Sequence, residues 1–232
     1  MPTPRRRIWR LPEPDAPLGH DRAEGDVALL RDLTHALLRA ERPEEAFQYA
    51  LDRSCPGVGA SLGSVFVLDG QSELMRLAAA HAWPERWRPW LGEMRVRVGF
   101  GPSGEAVSER RTIEVPDVFA DPGLEDWQEV ARELGFRALI ALPLSTPDRV
   151  VGAATFYFAE AAAPDARVKT LLRATADVMA AIAEKADLRD RVRRAEAALD
   201  ELSVSVTERV DFSDLDEPAV GEMRDQEPED MT

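Results

Sequence analysis

The N-terminal part of the chain carries apolar residues at helical spacing. From Asp26, a residue that can cap a helix, they recur every three or four positions. Pro43 suits the first position of a second helix, which has two glutamates in its first turn. Pro56-Gly57 predicts the end of that helix.

Strands are predicted where β-branched and aromatic residues cluster or where apolar and polar residues alternate. Asp69-Gly70 separates the first two runs and suits a hairpin loop. The second run is rich in alanine, so propensity alone also permits a helix there. The last two runs are the most strongly apolar, and a turn at residues 145–148 separates them. The predicted strands are residues 65–68, 74–81, 94–98, 113–115, 137–144 and 150–158, with short helices at 102–108 and 127–134.

After Pro164 the apolar spacing becomes helical again, and neither proline nor glycine interrupts it through Val206. A helix of about 40 residues is about 60 Å long, so we expect much of it to extend beyond a small domain. The first half is expected to pack on the domain and the second half to pair with another helix, most simply its own copy. The predicted dimer seam, in which apolar residues step by four and three, is Leu188, Val192, Ala195, Leu199, Leu202 and Val206.

Composition limits the class of protein. The net charge of the 232-residue chain is −14, which argues against nonspecific binding to nucleic acid or anionic lipid. One cysteine, Cys55, cannot form an intrachain disulfide, a multi-thiolate zinc site or an iron–sulfur cluster. No window approaches the roughly 20 apolar residues of a membrane span, and no signal peptide is recognisable. These features are typical of a cytoplasmic protein without nucleic-acid or membrane partners.

Both ends of the chain differ in composition from the rest. Residues 1–25 contain five prolines and no apolar period, and residues 211–232 contain nine acidic side chains against one basic side chain. Neither end has enough apolar surface to fold by itself. The predicted organisation is a flexible N-terminal arm (1–25), a globular domain (26–164), a long dimerising helix (165–207) and an acidic disordered tail (208–232).

Residues that usually carry catalysis or hold a cofactor are sparse. Gly99–Gly104 has the spacing G-x-G-x-x-G, but Pro102 lacks a backbone N–H that a phosphate site would use, so a tight turn is favoured. His20, His35 and His81 are far apart, unlike a metal site, although His81 is a candidate axial haem ligand. We expect no catalytic residues and no metal site.

Aromatic residues concentrate between the first hairpin and the last strand pair, in segments expected to cover one face of the sheet. Tryptophan combines a large apolar area with an N–H donor, which suits the wall of a cleft for a planar or amphipathic ligand. A satellite core beneath long loops explains the same pattern. The candidate pocket residues are Trp83, Trp87, Phe119, Trp127 and Phe136, with Asp117 as a polar contact.

Four segments in order along the chain resemble a GAF domain. They are residues 99–107 (GFGPSGEAV), 112–117 (TIEVPD), 135–144 (GFRALIALPL) and 150–152 (VVG), and the resemblance covers about residues 26–185. It implies an α+β fold related to PAS domains, with a six-stranded antiparallel sheet and helices on one face that pack into dimers. It also implies a small-ligand pocket on the other face. The long C-terminal coiled-coil helix is expected to follow this domain.

The resemblance also narrows the function. GAF domains that attach bilins use a pocket cysteine, and the free methionine-R-sulfoxide reductases of this fold depend on several cysteines. Cyclic-nucleotide-binding members carry the signature N-K-x-x-F-x-x-x-D-E, which is absent here. The cofactor or ligand therefore stays unknown.

These observations predict a noncatalytic sensory or regulatory protein. A homodimer would bind a small molecule or a partner at the loop face and signal through its helical stem to another signalling protein. One alternative is a ligand-free dimeric adaptor that acts through its arms, with a basic motif at residues 5–10 and an acidic, partly apolar motif at residues 211–216. A lesser alternative is a haem or redox protein that uses His81 or Cys55.

Overall fold

The computed structural model describes residues 22–69 and 72–209. It divides into two units, of which the first ends at Arg189 and the second begins at Asp190. The elements in chain order are α1 (Arg22–Arg39), α2 (Pro43–Val58), β1 (Leu62–Leu68), β2 (Leu74–His81), α3 (Arg88–Glu93), β3 (Arg95–Arg97), α4 (Gly101–Glu109), β4 (Ile113–Val115), α5 (Gln128–Leu134), β5 (Ala138–Ser145), β6 (Val150–Phe158) and α6 (Ala166–Arg209), with 3-10 segments at Glu85–Trp87 and Pro122–Trp127.

The strands form one antiparallel six-stranded sheet in the order β3-β2-β1-β6-β5-β4. This arrangement confirms the predicted α+β fold. The alanine-rich run is a strand, because β2 pairs with β1 from Gly63 opposite His81 to Leu68 opposite Met75. Tertiary pairing therefore overrides the helical propensity of its alanines.

Both faces of the central strands are covered, which explains their continuous apolar sequences. In β6, Phe156 packs with the helices while Tyr157 packs on the opposite face. In β5, Ile140 belongs to the helix side and Leu139 to the opposite side. Successive side chains still point to opposite faces of the sheet, but each face packs against an apolar core, and neither faces solvent.

The helices α1, α2 and the first half of α6 pack on one face of the sheet, as predicted. Leu33, Leu51, Leu172 and Met179 are completely buried in the core between these helices and the sheet. We call these three helical segments the helix layer. The short helices α3, α4 and α5 belong to the part of the chain that covers the opposite face.

Two helix ends differ from the sequence expectation. The first helix begins at Arg22 and not at Asp26, whose carboxylate instead accepts a 2.8 Å hydrogen bond from Arg167 Nε of α6. The second helix continues through Pro56 to Val58, and Gly59 ends it in the left-handed conformation at φ +75°. Burial of the last turn against the sheet outweighs the single backbone hydrogen bond that proline removes.

The long predicted helix is confirmed as α6. In its first half Leu171, Thr175 and Ile182 are buried, in agreement with the expectation that this half packs on the domain. In the predicted seam Leu188, Val192, Leu199 and Leu202 are 50 to 66% exposed, Ala195 is also exposed, and the side chain of Val206 lies outside the described part. Pairing through this seam stays a prediction.

The proposed arms fall mostly outside the described residues, as do the basic motif at residues 5–10 and the acidic motif at residues 211–216. The domain boundaries therefore stay predictions. Within residues 22–69 and 72–209, no helix has the length and apolar character needed to cross a bilayer.

Candidate functional site

A small cavity lies on the face of the sheet opposite the helix layer. Its volume is about 30 Å³, which is room for one or two water molecules. The strands β1, β5 and β6 form its floor, and the turn that starts α4 and the segment before α5 help to cover it. Its lining consists of Phe66, Trp83, Met94, Val96, Phe100, Gly101, Pro102, Ser103, Val118, Leu124, Trp127, Phe136, Leu139, Thr155 and Tyr157.

The floor is fixed by a cluster of aromatic rings around Tyr157. The Trp83 and Phe136 rings contact it, with centroids 5.8 and 4.9 Å from the tyrosine ring. The indole N–H of Trp83 donates to the carbonyl of Gly63 at 3.1 Å, and the Tyr157 hydroxyl lies 3.2 Å from Ser64 Oγ. Burial raises the pKa of Tyr157 to about 12, so its side chain is a neutral phenol at physiological pH.

The glycine-rich segment forms the turn at the edge of the cavity. Gly99 and Gly101 have φ values of +83° and +61°, which favour glycine. A Cβ on Gly104 would lie 2.3 Å from the carbonyl oxygen of Arg97, so only glycine lets α4 approach the end of β3 this closely. The geometry is therefore that of the tight turn favoured from the sequence, and Pro102 beside it lines the cavity.

The cavity is apolar and uncharged. None of its lining residues carries a formal charge, and most are aromatic or aliphatic. A polar exception is a pair of hydroxyls: Ser103 Oγ of α4 lies 2.8 Å from Thr155 Oγ1 of β6. Thr155 is 1% exposed, so this polar pair is built into the wall of the cavity.

Three of the predicted pocket residues lie together in this cavity. Trp83, Trp127 and Phe136 come from three separate segments of the chain and all line it. Trp83 and Phe136 are almost fully buried, whereas Trp127 is partly exposed at the cover. Their role as ligand contacts stays a prediction.

The other three predicted residues do not line the cavity. Trp87 packs beside it, edge-on to Trp90 at 5.2 Å between ring centroids. The Asp117 carboxylate accepts hydrogen bonds from the Phe119 N–H at 3.0 Å and from Arg137 Nη2 at 2.6 Å. The Phe119 ring packs against arginine guanidinium groups, one of which belongs to Arg137. Asp117 and Phe119 therefore stabilise the loop that follows β4.

The sequence reasoning missed the residues of the floor. Thr155 and Tyr157 sit in an apolar strand in which alternate residues face away from the helix layer, and their two hydroxyl groups, two residues apart, are the signal that identifies this face. The sequence pattern places Ser103 in the tight turn and at the start of the short helix at 102–108, and it gives this residue no functional role. Its pairing with Thr155, which is 52 residues away in sequence, has no local signature.

Neither candidate for redox or haem chemistry lines the cavity. Cys55 lies on α2 in the core of the helix layer, where burial, reinforced by the charge of Asp52, raises its pKa to about 12. His81 Nδ1 lies 2.7 Å from the same carboxylate of Asp52. Among the described residues, no group of three or more histidine, cysteine, aspartate or glutamate side chains is arranged to hold a metal ion.

Comparison with known proteins adds the following similarities. The model of a GAF domain family (GAF_2) matches residues 40–184. A methyl sulfide methyltransferase-associated sensor of Methanosarcina acetivorans is 24% identical over 136 residues, which are 58% of this chain and 14% of that protein. The chain thus spans a small part of the sensor that it resembles.

Solved structures share the fold at low identity. The GAF domain of a phosphoenolpyruvate-protein phosphotransferase from Coxiella burnetii superposes with a TM-score of 0.62 at 19% identity, covering 72% of this chain and 96% of that one. A free methionine-R-sulfoxide reductase from Neisseria meningitidis, in complex with its substrate, gives 0.60 at 18% identity, covering 74% and 95%. Proteins of this fold therefore include an enzyme as well as a domain of a larger protein.

Proposed function

Because the chain belongs to the GAF domain family, we propose that it is a noncatalytic sensory protein. It binds a small molecule in the cavity and signals through a dimeric helical stem to another protein. The observation that carries this proposal is that the floor of the cavity is also the wall of the helix layer.

That shared wall is clearest in β6. Thr155 and Tyr157 line the cavity, while their neighbours Ala154 and Phe156 are buried in the core of the helix layer. Because protein interiors are close-packed, a ligand that shifts this strand also shifts the helices on its other side. Such a shift becomes a signal only when the ligand binds two helix arrangements with different affinity.

The helix layer connects this wall to the stem. Lys185 Nζ of α6 donates to the carbonyls of Leu37 and Leu38 at 2.5 and 3.0 Å, and Arg189 Nη1 donates to the carbonyl of Ala40 at 3.3 Å. The last carbonyls of a helix have no partner within the helix, and cations there are favourable. These contacts tie the end of α1 to the segment of α6 that leads into the seam.

The chemistry of the thiol supports a noncatalytic role. A thiolate is the reactive form of cysteine, and the raised pKa of Cys55 keeps it protonated at neutral pH. Cys55 also lies on the opposite side of the sheet from the cavity. The cavity therefore contains no thiol that could carry out the reductase chemistry of the structurally similar enzymes.

The exposed seam of α6 supports a dimer. Leu188, Val192 and Leu199 are each at least half exposed and follow heptad spacing. Burial of these side chains against a second copy of the helix removes apolar surface from water. A parallel pair of stems would deliver the change at the cavity to a protein docked on the stem.

The competing proposal is a ligand-free dimeric adaptor. The small volume of the cavity, about 30 Å³, favours it. Both proposals include the dimeric stem, and they differ in whether the cavity binds a ligand.

Native mass spectrometry of the purified full chain separates the two. We expect a bound small molecule in the wild type and its loss in Trp127→Ala, which opens the cavity. Trp90→Ala is the matched control, because Trp90 is 44% exposed on α3 and does not line the cavity. The adaptor is favoured if the spectra of all three proteins show no bound ligand and no added small molecule stabilises the folded chain.

A further inference from the structure

We infer that the ligand of the cavity is a small, neutral, mainly apolar molecule that presents a single hydrogen-bonding group to Ser103 and Thr155. This inference rests on the proposed sensory function and specifies the chemical class of its ligand. It follows from the charge, the polar groups and the walls of the cavity.

The absence of charge in the lining selects neutral ligands. A carboxylate or ammonium group that enters an apolar cavity loses its hydration and needs an opposite charge or several hydrogen bonds in return. No lining residue supplies such a charge. One positive charge lies at the rim of the cavity: the Arg97 guanidinium is 5.2 Å from the centroid of the exposed Phe100 ring. Because this charge could attract an anion, binding of a neutral probe must be compared directly with binding of an anionic one.

The hydroxyl pair supplies the hydrogen-bonding site. Two hydroxyls carry two donor protons, and the 2.8 Å contact between Ser103 and Thr155 uses one of them. The described contacts of these two side chains give the second proton no protein acceptor, and lone pairs on both oxygens remain available. The pair can therefore donate to or accept from one polar atom of a ligand.

Other polar side-chain atoms of the lining are largely engaged. The indole N–H of Trp83 donates to Gly63, and the hydroxyl of Tyr157 pairs with Ser64. Trp127, which lies in the cover and is partly exposed, carries one further donor, its indole N–H. The remaining lining side chains are apolar, so a ligand with several polar groups would leave some of them without partners.

The cavity has little room between its walls, so a ligand the size of an aromatic ring needs a wall to move or must extend through the open side. Phe100 is the wall residue with a large exposed fraction, 63%, so displacing its ring loses little buried contact. The floor is held by the buried rings of Trp83, Phe136 and Tyr157. Entry past Phe100 therefore leaves the hydroxyl pair in place.

A series of probes that share one ring tests the inference. Toluene, phenol, benzoate and benzylammonium are titrated into the ¹⁵N-labelled full chain at neutral pH, and the indole N–H resonances of the five tryptophans are followed by NMR. Resonances are assigned with single tryptophan-to-phenylalanine variants. Trp83 and Trp127 report the cavity, and Trp90 is the internal control.

We expect phenol to shift the resonances of Trp83 and Trp127 saturably, with toluene binding more weakly and both charged probes at least tenfold more weakly than phenol. Thr155→Val, which keeps the shape and removes the hydroxyl, should raise the Kd of phenol about fivefold and leave that of toluene unchanged. Ser103→Ala, at a partly exposed position, gives the same comparison if the buried valine impairs folding.

Each alternative result has a defined meaning. Benzoate or benzylammonium binding at Trp83 and Trp127 as tightly as phenol would overturn the neutral class while leaving the sensory function intact. An equal loss of affinity for phenol and for toluene in Thr155→Val would overturn the role of the hydroxyl pair. No response of these two resonances to any probe would overturn both this inference and the proposed ligand-binding function.

Discussion

At the scale of single residues, Gly104 determines how close α4 comes to the sheet. An added Cβ would meet the carbonyl oxygen of Arg97 at 2.3 Å and the backbone nitrogen of Gly99 at 3.1 Å, and backbone atoms do not move aside cheaply. We expect Gly104→Ala to lower the free energy of unfolding by about 1–3 kcal/mol, measured by urea denaturation. The same substitution should weaken probe binding, because Ser103 precedes this glycine in the cavity wall.

Gly92 of α3 provides the matched control. A Cβ there would meet nothing within 4 Å beyond its chain neighbours and the backbone of its own helix. We expect Gly92→Ala to leave stability unchanged or to raise it by up to about 1 kcal/mol, because alanine is the better helix former. Equal destabilisation by both alanine variants would show that close packing is not the reason for glycine at position 104.

A second residue, Cys55, predicts how stability depends on pH. The thiol has an ordinary pKa of 9.0 and a pKa of about 12 in the folded protein. Between these values the unfolded state binds fewer protons, so the free energy of unfolding falls as pH rises, by up to about 1.4 kcal/mol for each pH unit. Well below pH 9 the thiol is protonated in both states and contributes no pH dependence.

Urea denaturation at pH 8, 9 and 10 checks this prediction. In Cys55→Ala the slope between pH 9 and 10 should be smaller than in the wild type, and the slopes are compared because the substitution itself lowers stability at every pH. The buried hydroxyl of Tyr157, whose ordinary pKa is 10.0, also lowers the free energy of unfolding as the pH rises, and this contribution should persist in the variant. Identical slopes in the two proteins would contradict a protonated, buried thiol.

At the scale of elements, an ion pair between α1 and α2 stabilises the helix layer. The Asp32 carboxylate, 8% exposed, accepts from Arg53 Nη2 at 2.7 Å and from Arg53 Nε at 3.1 Å. Asp32→Asn would leave a guanidinium that is 13% exposed without its counter-charge. We expect the free energy of unfolding to fall by about 3 kcal/mol, measured by chemical denaturation at pH 7.

An exposed pair serves as the control for this effect. Glu45 of α2 lies 3.3 Å from Arg42, and their side chains are 55% and 71% exposed. Glu45→Gln should change stability by less than about 0.5 kcal/mol. If Asp32→Asn is equally mild, water or another group must compensate Arg53, and the pair does not stabilise the helix layer.

At the scale of the whole molecule, the proposed sensor depends on pairing of α6. We expect the full chain to elute in light-scattering chromatography at twice the monomer mass of 25.7 kDa. Val192→Asp with Leu199→Asp places charges in the seam and should give the monomer mass. Ala197→Asp, also exposed on α6 but outside the seam, should remain a dimer. A wild-type protein that elutes as a monomer would contradict signalling through a dimeric stem.

The sequence by itself determined the order of elements and the family. Apolar runs with turn residues between them predicted β1, β5, β6 and α6, because strand and helix periods are local properties of the chain. Where local signals compete, as at Pro56, only burial of the last helical turn decided the outcome. The same holds for the alanine-rich β2, whose pairing with β1 fixes its conformation.

Only the tertiary structure decided which residues form the cavity. Trp83, Trp127 and Phe136 were predicted as aromatic wall residues, and they meet there. Trp87 and Phe119 carry the same composition signal and pack against the same apolar cluster, yet they do not line the cavity, because composition does not specify which side of a loop a ring faces. The hydroxyl pair that gives the cavity its polar character joins strand β6 to a turn 52 residues earlier, and such a contact exists only once the sheet has formed.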